Sequence, residues 1–181
     1  MYNNSISRIG ISISVVLVSV GDDHVILLGD NNGRRLVYSC GSDNHGKLGI
    51  GSSSNDYRCE LVRVHIPNDE IAIDISAGTH HSSIVSIDGR LYTWGSGHLF
   101  ILGHGDCDDH HTPYLVTSLL DHHVTRVSCG LMHTSCVTSN HQVYHWGVSV
   151  DTKQNKKVSL PLLPLLPLLV LLLLLLLLLL L

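Results

Sequence analysis

The 181-residue chain is poor in charge and in aromatic rings: 14% of its residues are charged and 5% aromatic, with two Trp and one Phe. Acidic residues (15) outnumber basic ones (11) and no basic run occurs, so no nucleic-acid partner is expected. The five cysteines are odd in number and lack CxxC spacing. That argues against a disulfide scaffold and suits reduced thiols inside a cell, in cytoplasm or nucleus. The lack of heptads, with 16 glycines, excludes a coiled coil. Outside the C-terminal tail no 11-residue window carries a helical apolar stripe. Gly-x-Ser-x-Gly, Walker A and dinucleotide fingerprints are all missing. The chain is therefore read as no enzyme, with no catalytic residue and no cofactor.

What the chain does have is repetition. A glycine followed three residues later by histidine occurs as Gly21/His24, Gly78/His81 and Gly130/His133, preceded each time by a short apolar run. A second element ends in Gly41, Gly95 and Gly147, with Tyr38, Tyr92 and Tyr144 three residues before each. Trp94 and Trp146 directly precede two of those glycines. A third element, Leu48-Gly49-Ile50-Gly51 and Leu102-Gly103-His104-Gly105, leads to apolar runs around Val62 and Val116. Three elements in register at 52–57 residues define repeat units.

The runs between turns are short, β-branched or aromatic, and punctuated by Gly, Asp, Asn or Ser. Four such strands per repeat is the pattern of a propeller blade. Asn32-Gly33 and Asp88-Gly89 read as two-residue hairpin turns with both central residues at positive φ. Gly41, Gly95 and Gly147 mark a bend or a close backbone approach at a strand end. One histidine recurring per blade reads as a half-buried hydrogen-bonding residue, better than as three active sites.

Tyr92–Gly97, Leu102–Asp106, Thr112–Val116 and Cys129–Thr134 together resemble the regulator of chromosome condensation repeat. The resemblance covers about residues 16–147 and implies a propeller of roughly seven four-stranded blades. Four positions depart from it: Phe100 where Gly46 supplies the turn, Cys40 for Trp, Cys59 for Pro113, and Leu17 where the other copies are polar (Asp74, Arg126). Phe100 and Leu17 place extra apolar surface where contacts from outside the chain would cover it. Residues 16–147 amount to about 2.5 blades, below the ~4 that closure needs. The fold class is all-β, an incomplete propeller, a fragment of a longer protein or a piece completed by other copies.

The ends differ. Residues 1–15 form a lead-in, and Val18–Gly21 matches the strand before Gly78 and Gly130, which favours a strand over a signal peptide. Residues 148–159 read as a linker. The tail 160–181 holds 18 Leu, 3 Pro and 1 Val and no charge. Three readings stay open: a membrane anchor preceded by Lys153, Lys156 and Lys157, a translated simple repeat, and a segment without function. The simple repeat ranks first. A helical course would have to tolerate Pro161, Pro164 and Pro167.

His104–His111 has His, Cys and carboxylate donors in eight residues, of types that Zn²⁺ accepts. Alternation along a strand disperses them, so the stretch reads as a solvated loop and no metal is expected. Fourteen histidines make the charge pH-dependent, from a formal −4 toward +10 when all are protonated. The expected function is a non-catalytic protein-interaction module. The resemblance also implies two narrower options: part of a guanine nucleotide exchange factor for a small GTPase, or the partner-binding part of a HECT-type ubiquitin ligase. A tail-anchored propeller is the alternative of another class.

Overall fold

Short apolar runs cut by Gly, Asp and Asn cannot sustain helices, and the computed structural model builds them into twelve strands. It describes residues 14–52, 56–151 and 156–164, with backbone alone from residue 149 onward. The strands form three four-stranded antiparallel sheets, each a meander in sequence order. Blade 1 holds β1 (Ser14–Val20), β2 (His24–Asn31), β3 (Arg34–Ser42) and β4 (Tyr57–Val64). Blade 2 holds β5 (Ala72–Ala77), β6 (His81–Ser86), β7 (Leu91–Gly95) and β8 (His110–Leu115). Blade 3 holds β9 (Val124–Cys129), β10 (His133–Thr138), β11 (Val143–Asp151) and β12 (Lys156–Pro164).

The third blade takes its fourth strand partly from the Leu/Pro tail. Gly147 pairs with Leu160, His145 with Leu163 and Tyr144 with Pro164. A helical course is therefore corrected for residues 160–164. The open edge of β11 offers backbone partners, and an edge strand tolerates the prolines that would break a helix. The rest of the tail, 165–181, lies outside the described residues, as does most of the lead-in. No helix among the described residues is long and apolar enough to cross a membrane.

The hairpin expectation needs one correction. Asn32 (φ 53°) and Gly33 (φ 84°) are both left-handed, as a two-residue primed turn requires. In blade 2 only Gly89 is left-handed (φ 76°). There Gly89 N donates to Ser86 O (2.9 Å) and Ser86 N to Arg90 O (2.8 Å), a longer turn with a glycine bulge. Blade 3 repeats it with His141 at φ 62°. The outer strands also align two residues away from the sequence register. Tyr38 pairs with Arg63 and Tyr92 with Leu115, so Val64 corresponds to Val116 and Cys59 to His111. The β3–β4 loop is simply two residues longer.

The apolar core is two layers, one on each side of blade 2. Ile26, Leu28, Val37 and Val64 of blade 1 meet Ile75, Ile84, Tyr92 and Trp94 of blade 2. Val85, Leu91 and Val116 of blade 2 meet Val127, Cys136, Tyr144 and Trp146 of blade 3. Every residue of β6 is buried, because it is covered on both faces. Among the described residues blade 1 has a neighbour on one face only, and β1 leaves Val18 58% and Val20 69% exposed.

Candidate partner-binding face and the relay beneath it

A meander places the β1–β2 and β3–β4 connections of each blade at the same end. Their positions are set by a relay that joins one blade to the next. His24, 2% exposed, meets Ser82 Oγ through Nε2 at 2.8 Å. Ser82 Oγ donates to Lys47 O (2.7 Å), and Trp94 Nε1 donates to the same carbonyl (2.9 Å). The Ser82 proton is thus committed to Lys47, so His24 must carry its proton on Nε2. The next joint repeats it: His81 Nε2 to Thr134 Oγ1 (2.7 Å), Thr134 Oγ1 to Ile101 O (2.8 Å), Trp146 Nε1 to Ile101 O (2.9 Å). Burial, with the Lys47 charge, pushes His24 down to about 4. Burial, with the neighbouring histidines, pushes His81 down to about 3. Both rings are neutral donors at pH 7. His133 stands on the far side of blade 3, its ring 5.1 Å from that of His145.

The glycines keep these parts close. A Cβ on Gly95 (φ 107°) would lie 2.6 Å from His80 O, and one on Gly147 (φ 96°) 2.5 Å from Met132 O. Gly41 (φ 110°) sits equally tight, 2.4 Å from Asp23 O. Gly21 and Gly78 are pressed against the next blade, where a Cβ would meet Gly78 O at 2.3 Å and Gly130 O at 2.5 Å. The inner strands add a second set of hooks: Ala77 N to Ser19 Oγ, Cys129 N to Ser76 Oγ and Val127 N to Asp74 Oδ2, each 2.9 Å. Leu17 is the counterpart of Asp74 and offers no acceptor. Blade 1 likewise has Val25 where later blades have Ser82 and Thr134, and Cys40 where they have Trp94 and Trp146.

Above the relay, loops of all three blades meet in a cleft of about 190 Å³. His45 comes from blade 1, His80, His98 and Leu99 from blade 2, and Leu131 and Met132 from blade 3. His45 Nδ1 lies 2.8 Å from Asp109 Oδ2, which ties two of the loops together. Leu131 is 54% exposed and Phe100 beside the cleft 44%. Leu99 (φ 60°) and Phe100 (φ 61°) are both left-handed, where His45 (φ 62°) and Gly46 (φ 75°) stand in blade 1. A left-handed phenylalanine is an outlier that surrounding structure must hold in place. Gly46 cannot accept the exchange, since a Cβ there would meet His111 Nδ1 at 2.2 Å.

The donor-rich stretch 104–111 is drawn apart. His104 Nε2 is 3.0 Å from Thr93 Oγ1, and its ring is edge-on to His110 at 4.7 Å. His110 stacks on Tyr114 (4.3 Å), while Cys107 is exposed and Asp109 turns to Gly97 N (2.9 Å) and His45. Burial, then the neighbouring His110, pushes His104 down to about 4. Among the described residues no three His, Cys, Asp or Glu side chains group to hold a metal ion.

The family model for the regulator of chromosome condensation (RCC1) repeat matches residues 36–85 and 88–137. The chain belongs to the RCC1 repeat family. Each match runs from the last two strands of one blade into the first two of the next, so blade 2 is divided between them, with β1 and β2 before the first match and β11 and β12 after the second. The chain is 37% identical over 139 residues to the human E3 ubiquitin-protein ligase HERC2, covering 75% of this chain and 3% of that protein. It is 30% identical over 135 residues to the ultraviolet-B receptor UVR8 of Arabidopsis thaliana, 75% of this chain and 30% of that one. The chain thus spans less than a third of the length of either relative. Yeast RCC1 (Prp20) bound to Kap60 superimposes with a TM-score of 0.64 at 25% identity, over 74% of this chain and 32% of that one. Prp20p of Saccharomyces cerevisiae, a structure described together with binding to Gsp1p and histones, gives 0.71 at 20% identity, over 85% and 39%. The likeness at 20% bears on the propeller fold alone. Sequence reading singled out the RCC1 histidines and tryptophans but missed Ser82, Thr134, Leu131 and Met132. Ser82 and Thr134 directly follow the repeated histidines, a signal hidden by Val25 in the first copy.

Proposed function

We propose that the chain is a non-catalytic protein-interaction module, a three-blade portion of a larger RCC1-type propeller. Its partner contacts lie on the loop face around Leu99, Phe100, Leu131 and Met132. The observation that carries this reading is a large apolar residue, Phe100, kept half exposed at a backbone conformation that Gly46 occupies in the preceding blade. Strain of this kind is retained where a site needs the side chain. Exposed apolar groups gathered over a rigid scaffold are a common basis for partner recognition.

A photo-crosslinking residue at Leu131 tests it, with the same residue at Asn140, on the opposite end of blade 3, as the control. Adducts to one defined protein from position 131, weakened by Phe100→Gly, support the loop face. Equal adducts from both positions would remove it. The 37% identity to HERC2 favours a ubiquitin ligase as the parent, with the propeller as its partner-binding part. Reading the transcript across the codons for Gly147–Leu181 tests that. Further RCC1 repeats and a ligase domain support it, and an independent stop after Leu181 opposes it. Exchange activity on a small GTPase is the second option. Unchanged nucleotide release with the full parent protein eliminates it.

A further inference from the structure

We propose that Cys40 and Cys59 form a reversible cross-strand disulfide in blade 1, a thiol pair that reacts with hydroperoxides. Cys40 lies on β3 and Cys59 on β4. Gly41 pairs with Arg58 and Ser42 with Tyr57, and continuing that register one step sets Cys40 opposite Cys59. The ladder then breaks, and pairing resumes at Ser39 and Val62. Cys40 and Cys59 both point away from the face of Gly41 and Arg58, because side chains alternate along each strand. Directly opposed residues of an antiparallel pair hold their Cβ atoms about 4.5–5.5 Å apart. A disulfide needs about 3.5–4.5 Å, a closure that strands loosened by a bulge can make.

The surroundings assign the two thiols different roles. Both line one open cleft of about 410 Å³ on the outward face of blade 1, with Val20, Val25 and Tyr57. Cys59 is exposed and Cys40 half-buried. Burial, and then the neighbouring Cys59, raises the Cys40 thiol. Cys59 is therefore the thiol that meets the oxidant, and Cys40 the one that resolves it. In the first step the Cys59 thiolate attacks a peroxide oxygen, the O–O bond breaks, and Cys59 sulfenic acid and water (or an alcohol) form. In the second step the Cys40 sulfur displaces hydroxide from that sulfenic acid, and the released proton makes it water. Two thiols are oxidised and one peroxide reduced. A thiol reductant reverses the bond. At the same position blades 2 and 3 carry Trp94 and Trp146, each donating to the preceding blade. Blade 1 has given up that donor for a group with redox chemistry.

The test is oxidation of the native chain with equimolar hydrogen peroxide, followed by thiol blocking and non-reducing peptide mass spectrometry. The expected product links Cys40 to Cys59, leaves Cys129 and Cys136 as free thiols, and loses two titratable thiols per molecule. Dithiothreitol restores both. Cys59→Ser leaves Cys40 reduced under the same treatment, and Cys40→Ser leaves Cys59 as a sulfenic acid that dimedone traps. Dominant pairing of Cys59 with Cys107, a Cys59–Cys59 dimer, or two thiols still free after treatment would each overturn the proposal. Near-ultraviolet circular dichroism of both variants checks that blade 1 remains folded.

Discussion

Thr134→Val gives the sharpest test of the relay between blades. The two side chains have nearly the same shape, so the substitution opens no cavity and removes only the hydroxyl. That hydroxyl accepts from His81 Nε2 at 2.7 Å and donates to Ile101 O at 2.8 Å. Ile101 O keeps the Trp146 indole at 2.9 Å and loses one of two bonds. His81 is 0% exposed and is left with a buried N–H that has no acceptor. Stranding a buried donor costs about 1–3 kcal/mol, and the second lost bond adds about 0.5–1 kcal/mol. The expected destabilisation is therefore about 1.5–4 kcal/mol by these two terms together. Urea unfolding followed by tryptophan fluorescence measures it, since Trp94 and Trp146 are both buried in the joints. Thr134→Ser keeps the hydroxyl and is expected within about 1 kcal/mol of the native chain, losing one methyl group. His81→Leu combined with Thr134→Val is expected to cost less than the two single changes summed, because an apolar pair strands nothing. A Thr134→Val effect under about 0.5 kcal/mol, or strict additivity, would refute the relay as an energetic unit.

Three further outcomes follow from the same geometry. His24 and His81, held down near 4 and 3, bind fewer protons folded than unfolded, where a histidine titrates near 6.5. Stability is then fully present above pH 6.5 and falls below it, by up to about 1.4 kcal/mol per pH unit for each ring; a urea midpoint unchanged between pH 7 and 5 would contradict this. Gly95→Ala places a Cβ 2.6 Å from His80 O at φ 107° and is expected to cost at least about 2 kcal/mol, read as a lowered melting temperature. Phe100→Gly relieves a left-handed backbone and is expected to cost less than about 1 kcal/mol while weakening partner capture from the loop face; a larger stability loss would make Phe100 a packing residue.

The sequence shows the blades because their signals are local. A short β-branched or aromatic run, a turn glycine and a fixed period need no knowledge of what lies across space, and the three sheets each carry the four strands which that pattern implies. The joints were less visible because they depend on a second blade. His24 announces itself by recurring, but its acceptor is 58 residues away on Ser82, and the carbonyl that fixes the tautomer belongs to Lys47. A backbone carbonyl has no residue signature, so Lys47 and Ile101 could not be singled out. The outer strands failed for another reason. Their register is set by the length of the β3–β4 loop, and two extra residues in blade 1 shifted Cys59 from Pro113 to His111. That shift is what makes blade 1 intelligible. Leu17 takes the place of the carboxylate on the face toward blade 2, and at the outward face the hydroxyl and indole of later blades are replaced by Val25 and Cys40. A blade without those groups cannot donate to a preceding RCC1 blade through the usual relay. Whatever covers β1 must meet an apolar surface bearing two thiols, and that chemistry, not the repeat pattern, sets blade 1 apart.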